Sequence, residues 1–205
     1  MSTEPATVPT TVPTAVPTAD VGGPQRPLRA DARRNYDQIV DAARQTLLEQ
    51  GSAASLEEIA RRAGVGIGTL YRRFPSRVDL LEAVYREDVD TLRVQTDEIL
   101  ASTEPWPAVE RWVHAFLGYA ATKRALFTEL VEAVGRDSAL LTYSRSVING
   151  TANAVLANGK AAGVVRSDVE SADVIRLIGG CSMMGTLDEA QQERVVSIVL
   201  AGIRA

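Results

Sequence analysis

The chain has 205 residues, is 45% hydrophobic and 23% charged, and carries a net charge of −4, a globular composition with enough chain for one large domain or two small ones. It has no run near the ~18 apolar residues that a membrane span needs and no basic start followed by an apolar segment, so a cytoplasmic protein without a membrane partner is expected. One cysteine, Cys181, excludes an internal disulfide and a multi-cysteine zinc site, and one histidine, His114, excludes a multi-histidine site; no metal or cofactor is expected.

Residues 1–27 read as a disordered tail. The stretch TVPTTVPTAVPT repeats Val-Pro-Thr every four residues, and six of the nine prolines fall by Pro27, which favours extended, solvated backbone. After Ala30 the pattern turns helical. Ile39, Ala43 and Leu47 recur at four-residue spacing with Val40 beside them, and Gly51 ends that helix. SLEE at Ser55–Glu58 has the form of a capping box, in which Ser55 caps the next helix and Glu58 reaches back to its amide. Leu56, Ile59, Ala60 and Ala63 make its apolar stripe. Gly64 stops it, IGTLYRRF forms a second short helix, and Pro75 closes that one. A longer helix over 76–100 presents Leu80, Leu81, Val84 and Tyr85 inward. Further helices are predicted near 107–121, 123–134, 139–162, 171–184 and 189–203, with no sustained strand alternation.

Charge divides the same way. Leu28–Arg77 holds nine arginines against six carboxylates, while residues 78–205 hold twelve Lys/Arg against eighteen Asp/Glu. A basic segment joined to an acidic one fits a nucleic-acid module attached to something else. We therefore divide the chain into the tail at 1–27, a DNA-binding domain at 28–77 and a helical domain at 78–205.

The segment AGVGIGTLYRRFPSR, Ala63–Arg77, decides what the basic module is. It is not a phosphate-binding P-loop, because no lysine occurs before Lys123. Nor is it a dinucleotide fingerprint, since the residues before it are helical in pattern and not a strand. A helix-turn-helix fits, with two short helices joined by a tight turn at Gly64 and packed through Val65, Ile67 and Leu70. Gly66 and Gly68 have no Cβ, so the second helix can approach a DNA backbone closely. Thr69 suits base edges or a thymine methyl, and Tyr71 and Arg72 project toward phosphates. Arg77 stands where it could grip another phosphate, Arg33 and Arg34 flank the first helix, and Ser55 completes the set of candidate DNA-binding residues.

Those residues also carry a resemblance. SLEEIARRAGVGIGTLYRRFPSRVDLLEAV resembles the DNA-binding segment of the tetracycline-repressor (TetR) family of bacterial transcription regulators over roughly fifty residues. The chain departs from the family pattern in having Gly66 where Ser is frequent, Ala54 where Thr is frequent and Arg77 for the usual Lys. The resemblance implies an all-α protein of about nine helices. It further implies a homodimer on near-palindromic operator DNA, released when a small molecule binds the C-terminal domain.

In that domain the helix at 171–184 is apolar on two sides, with Val174, Leu177, Ile178 and Cys181 on one stripe and Ile175, Gly179 and Met183 on another. The helix at 189–203 behaves alike, with Val195, Val196, Ile198, Val199, Leu200 and Ile203. Together they predict a four-helix dimer interface, with Gly179, Gly180 and Gly185 allowing close approach. Candidate ligand-binding residues are Trp112, Phe116, Tyr119, Phe127, Ser144, Val147, Thr151 and Met183, and they suggest an apolar or amphipathic effector. Ser144 and Thr151 can equally bond to carbonyls one turn back. His114 falls off the apolar stripe of its helix and is expected at the surface. Cys181 is expected as a small buried hydrophobe. No nucleophile–base–acid set is signalled, so neither catalytic residues nor an enzyme are expected. The alternatives to a ligand-responsive regulator are a dimeric interaction protein that does not bind DNA and a helical hydrolase using His114 with a serine.

Overall fold

A computed structural model describes residues 25–102, 104–183 and 188–205, apart from the side chains of 25–30, 183 and 189. The described residues form eight α-helices in chain order. Three make the N-terminal module: α1 (Gln25–Gln50), α2 (Leu56–Arg62) and α3 (Ile67–Arg73), with a 3-10 turn at Gly51–Ala53 between the first two. Five follow: α4 (Arg77–Ser102), α5 (Pro105–Val134), α6 (Ala139–Ala161), α7 (Ser171–Met183) and α8 (Glu189–Ile203).

The apolar spacing does what it should. Ile39, Val40, Ala43 and Leu47 of α1 are buried, as are Ile59, Ala60 and Ala63 at α2 and Leu70 of α3. Leu80, Leu81, Val84 and Tyr85 form the buried face of α4. This helix packs on α5 and α6, and α1 reaches across to α4 and α5, so one continuous core joins the N-terminal module to the rest.

Three expectations need correction. Helix α1 starts at Gln25, inside the stretch assigned to the tail. Pro27 falls in its first turn, where a backbone N–H has no intrahelical acceptor to lose. Second, the helices expected at 107–121 and 123–134 are one helix of 30 residues, α5. Nothing in Ala120-Ala121-Thr122 breaks a helix, and Thr122 is buried. Third, the capping box is half made. The Glu58 N–H donates to Ser55 Oγ at 3.1 Å, but the Glu58 carboxylate is taken by Arg61 and Arg62 at 2.7–2.8 Å.

At the far end, Gly159 lets α6 close on its neighbours. A Cβ there would lie 2.6 Å from Val165 Cγ2 and 3.3 Å from Val109 Cγ2. Val165 is bridged to Arg204, with Arg166 N–H donating to Ile203 O at 3.0 Å and Ala205 N–H to Val164 O at 3.1 Å. The residues after α8 are thereby tied to the α6–α7 connection.

Candidate nucleic-acid interface and interior cavity

Gly64 takes φ +68° and makes the turn between α2 and α3, a conformation costly for a residue with a Cβ. Gly66 then caps the start of α3, its carbonyl accepting from Thr69 N–H at 2.8 Å. Leu70 is fully buried and anchors the helix. The remaining face is open: Gly66, Gly68, Tyr71 and Arg72 are exposed and Thr69 is half-buried. A Cβ on Gly66 or Gly68 would meet nothing within 4 Å in the protein, so both positions lie open at the surface. Arg72 donates to Thr69 Oγ1 at 3.4 Å.

Electrostatics separate the arginines of this module. Arg61 and Arg62 are neutralised by Glu58, whose carboxyl they hold down at about 2, and Glu49 also takes Arg62, at 2.6 Å. Arg33 pairs with Asp37 at 2.9 Å, and Arg34 pairs with Asp31. Both pairs are exposed, and so can open at small cost. Arg73 stacks over Tyr36 at 4.8 Å, with no carboxylate on it. Among the described side chains, the charge left uncommitted to acidic partners therefore sits on α3, at Arg72 and Arg73.

Arg77 is a correction. Expected to grip a phosphate, its guanidinium turns inward. Nε donates to Glu129 Oε1 of α5 at 2.6 Å, Nη1 donates to the Ala54 carbonyl, and Nη2 reaches the Ser52 carbonyl at 3.4 Å. It straps the 3-10 turn to α5. A second tie joins α1 to α4, where Arg44 Nε donates to Asp88 Oδ1 at 2.5 Å.

An apolar cavity of about 350 Å³ lies between α5, α6 and α7, lined by Phe116, Tyr119, Ala120, Lys123, Ile148, Ile175, Arg176, Gly179 and Gly180. A chamber of about 140 Å³ shares Lys123 with it and adds Tyr85, Phe127, Leu141, Arg136 and Arg145. Between the two, Tyr85 Oη, Tyr119 Oη and Ser144 Oγ form a buried triangle with sides of 2.8, 2.9 and 3.2 Å. Burial raises the Tyr119 phenol well above its ordinary range, so it stays neutral. Tyr119 also lines a groove on the other side of α5, with Arg44, Asp88 and Thr122.

Of the residues predicted for the pocket, Phe116, Tyr119 and Phe127 line these spaces. Trp112 does not: it is fully buried and stacked on Phe116, ring centroids 5.3 Å apart. The Thr151 hydroxyl donates to the Ile148 carbonyl at 2.9 Å, so it satisfies its own helix. Ser144 belongs to the hydroxyl triangle and Val147 packs against the core. The Met183 side chain and Gly185 lie outside the described residues. Sequence reasoning passed over Lys123. A signal was there, since Lys123 is one of two lysines in the chain and continues the face of Phe116, Tyr119 and Phe127 at three- and four-residue spacing.

His114 is exposed as expected, with Nδ1 2.8 Å from the Glu110 carbonyl. Cys181 is half-buried and not fully enclosed. On α7 and α8, Val174, Ile178, Val196, Val199 and Ile203 are buried within the protomer, while Leu177 is 52% and Ile198 71% exposed. No described helix is long and apolar enough to cross a membrane.

Comparison with known proteins agrees with this layout. The model for the tetR family of bacterial regulatory proteins matches residues 39–84, and that for the C-terminal domain of SbtR-like transcriptional regulators matches residues 104–205. The chain is 37% identical over 128 residues to an HTH-type transcriptional regulator of Staphylococcus aureus, a stretch covering 61% of this chain and 64% of that protein. It thus spans less than two thirds of that relative's length. It is 31% identical over 124 residues to the HTH-type transcriptional regulator TtgW of Pseudomonas putida, covering 60% of this chain and 90% of that protein. Among solved structures, a TetR transcriptional regulator from Streptomyces coelicolor superposes with a TM-score of 0.73 at 37% identity, over 82% of this chain and 98% of that one. A TetR regulatory protein from Mycobacterium vanbaalenii gives 0.69 at 31% identity, over 87% and 100%.

Proposed function

This chain belongs to the tetR family of bacterial regulatory proteins, and from that premise we propose that it is a cytoplasmic DNA-binding transcriptional regulator released from a near-palindromic operator by a small effector. The observation that carries the reading is the open face of α3. It is anchored by one buried leucine, clear above both glycines, and flanked by Arg72 and Arg73, which carry no carboxylate among the described residues. In the major groove, Thr69 contacts base edges, Gly66 and Gly68 allow close approach, and Tyr71, Arg72 and Arg73 contact phosphates. Ser55 stays with α2 as its cap, and Arg33 and Arg34 exchange exposed carboxylates for backbone phosphates.

A homodimer supplies the second recognition helix. Its interface uses the outer faces of α7 and α8, where Leu177 and Ile198 expose large apolar side chains that a monomer has no use for. The two α3 helices then read half-sites about 34–36 Å apart or a multiple of that turn. The effector occupies the cavity between α5, α6 and α7, and α5 runs on from that cavity to Glu129, where the Arg77 strap holds it.

The test is salt-dependent binding of the purified full chain to DNA from its own promoter. A steep loss of affinity with salt is expected for specific and nonspecific DNA alike, with the specific fragment held 10³-fold or more tighter, roughly, at equal salt. Equal affinity for all fragments would refute an operator-specific regulator.

A further inference from the structure

The cavity between α5, α6 and α7 contains positive charge with no counter-charge. Lys123 lines both chambers, Arg176 stands on the larger, and Arg136 and Arg145 stand on the smaller. Neither wall includes an Asp or Glu. The Lys123 ammonium lies 4.6 Å from the Phe127 ring, and no described carboxylate acts on it. Burial, with Arg145 nearby, holds it below the ordinary lysine range. Arg145 is itself a cation and adds to this; its own donors go to the Arg136 carbonyl and the Thr142 hydroxyl at 3.1 Å.

An ammonium half-removed from water without an anion is unfavourable for the unliganded fold. The rest of the larger chamber is apolar, formed by Phe116, Tyr119, Ala120, Ile148 and Ile175. An apolar box with two cations in its wall, the half-buried Lys123 and the exposed Arg176, discriminates by charge: an anionic head gains a charge-assisted hydrogen bond, while a cationic head meets repulsion.

We propose that the effector is an amphipathic monocarboxylate, whose apolar body fills the larger chamber and whose carboxylate pairs with Lys123. This rests on the reading of that cavity as the effector site. It adds the ligand's charge and the residue that selects it.

The probes are octanoate, octan-1-ol and octylamine, titrated calorimetrically into the full chain. Octanoate is expected to bind at least tenfold more tightly than octanol, with octylamine weakest. Lys123→Met is expected to weaken octanoate about 10- to 100-fold, the worth of a charged hydrogen bond, while leaving octanol unchanged. Lys123→Arg keeps the preference for the acid. The unliganded Lys123→Met protein should melt at a higher temperature than wild type, because it no longer buries a lone charge. Three results overturn the proposal: octanoate failing to bind wild type, octanol or octylamine binding as tightly as octanoate, or Lys123→Met retaining the preference. Ile148→Trp, which fills the chamber, separates this proposal from the reading beneath it. If octanoate binds that variant as it binds wild type, the ligand lies elsewhere and the assignment of the cavity fails as well. If instead a neutral compound binds wild type, is blocked by Ile148→Trp and ignores Lys123, the cavity stands and the anionic class is wrong.

Discussion

Arg44 of α1 and Asp88 of α4 meet at 2.5 Å, and the second carboxylate oxygen of Asp88 is buried with no hydrogen-bond partner. The pair is unequal. Asp88 is 9% exposed, and burial pushes its carboxyl above the ordinary range despite Arg44 and the Thr122 hydroxyl. On Arg44 burial works against the charge, but Asp88 and Asp41 together outweigh it.

Removing the two partners should therefore have opposite effects. Arg44→Leu leaves a buried carboxylate alone and is expected to cost about 2–3 kcal/mol in urea unfolding at pH 7, somewhat less than a fully buried pair because Arg44 is partly exposed. Asp88→Asn removes the charge that burial disfavours and should be neutral or stabilising. The sign of the pH dependence follows. Because the folded-state pKa is raised, protonation favours the fold, so wild type gains stability relative to Asp88→Asn as pH falls from the folded pKa toward the unfolded value near 3.9, and the gain levels off below it. A loss over that interval would reverse the assignment.

Arg77→Lys separates a strap from a phosphate grip. A lysine keeps the charge but cannot serve Glu129 and two carbonyls at once. We expect a stability loss of about 1–2 kcal/mol with DNA affinity falling only as far as the fold loosens. Undiminished stability with weakened operator binding would put Arg77 on the DNA.

Tyr71 is 45% exposed and Thr69 half-buried on the open face of α3. Thr69→Ala and Tyr71→Phe should each leave the melting temperature nearly unchanged and weaken operator binding by roughly 1–3 kcal/mol. Normal binding by Tyr71→Phe would remove its hydroxyl from the interface.

Much of the N-terminal module is legible in the sequence because its signals are backbone signals. Gly64 takes a positive φ, Ser55 caps a helix, Pro75 ends one, and none of these depends on a distant partner. The direction of Arg77 does not follow from such signals, because a long side chain goes to whichever acceptors the tertiary fold supplies, and Glu129 is 52 residues away. Lys123 was overlooked for a related reason: lysine is ordinarily solvated, and only the fold encloses it. Trp112 shows the reverse error, since an aromatic on the right face of α5 can be core and never reach the cavity.

The same difference decides where the dimer interface is to be tested. Gly179 and Val199 lie on the helices predicted to form the interface. However, Gly179 lines the cavity and Val199 is 7% exposed in the protomer, so a charge on either tests the cavity or the core. Leu177→Glu and Ile198→Asp are the informative variants. Both should keep wild-type helix content, sediment as monomers and lose most operator affinity. Dimeric, operator-binding variants would place the interface elsewhere.

The unbroken course of α5 has a mechanical consequence. Phe116, Tyr119 and Lys123 at the cavity, Thr122 at Asp88 and Glu129 at Arg77 all sit on one rod, which can tilt but cannot fold at its middle. Thirteen residues from Phe116 to Glu129 span about 20 Å, so a tilt of about 5° pivoting at Phe116 carries Glu129 roughly 1.7 Å sideways. A jointed pair of helices meeting at Thr122 would absorb that displacement in the joint. A single stiff helix passes it on, so a force on the arm beyond that pivot, at Lys123, would be carried as by a lever to Glu129 and the Arg77 strap.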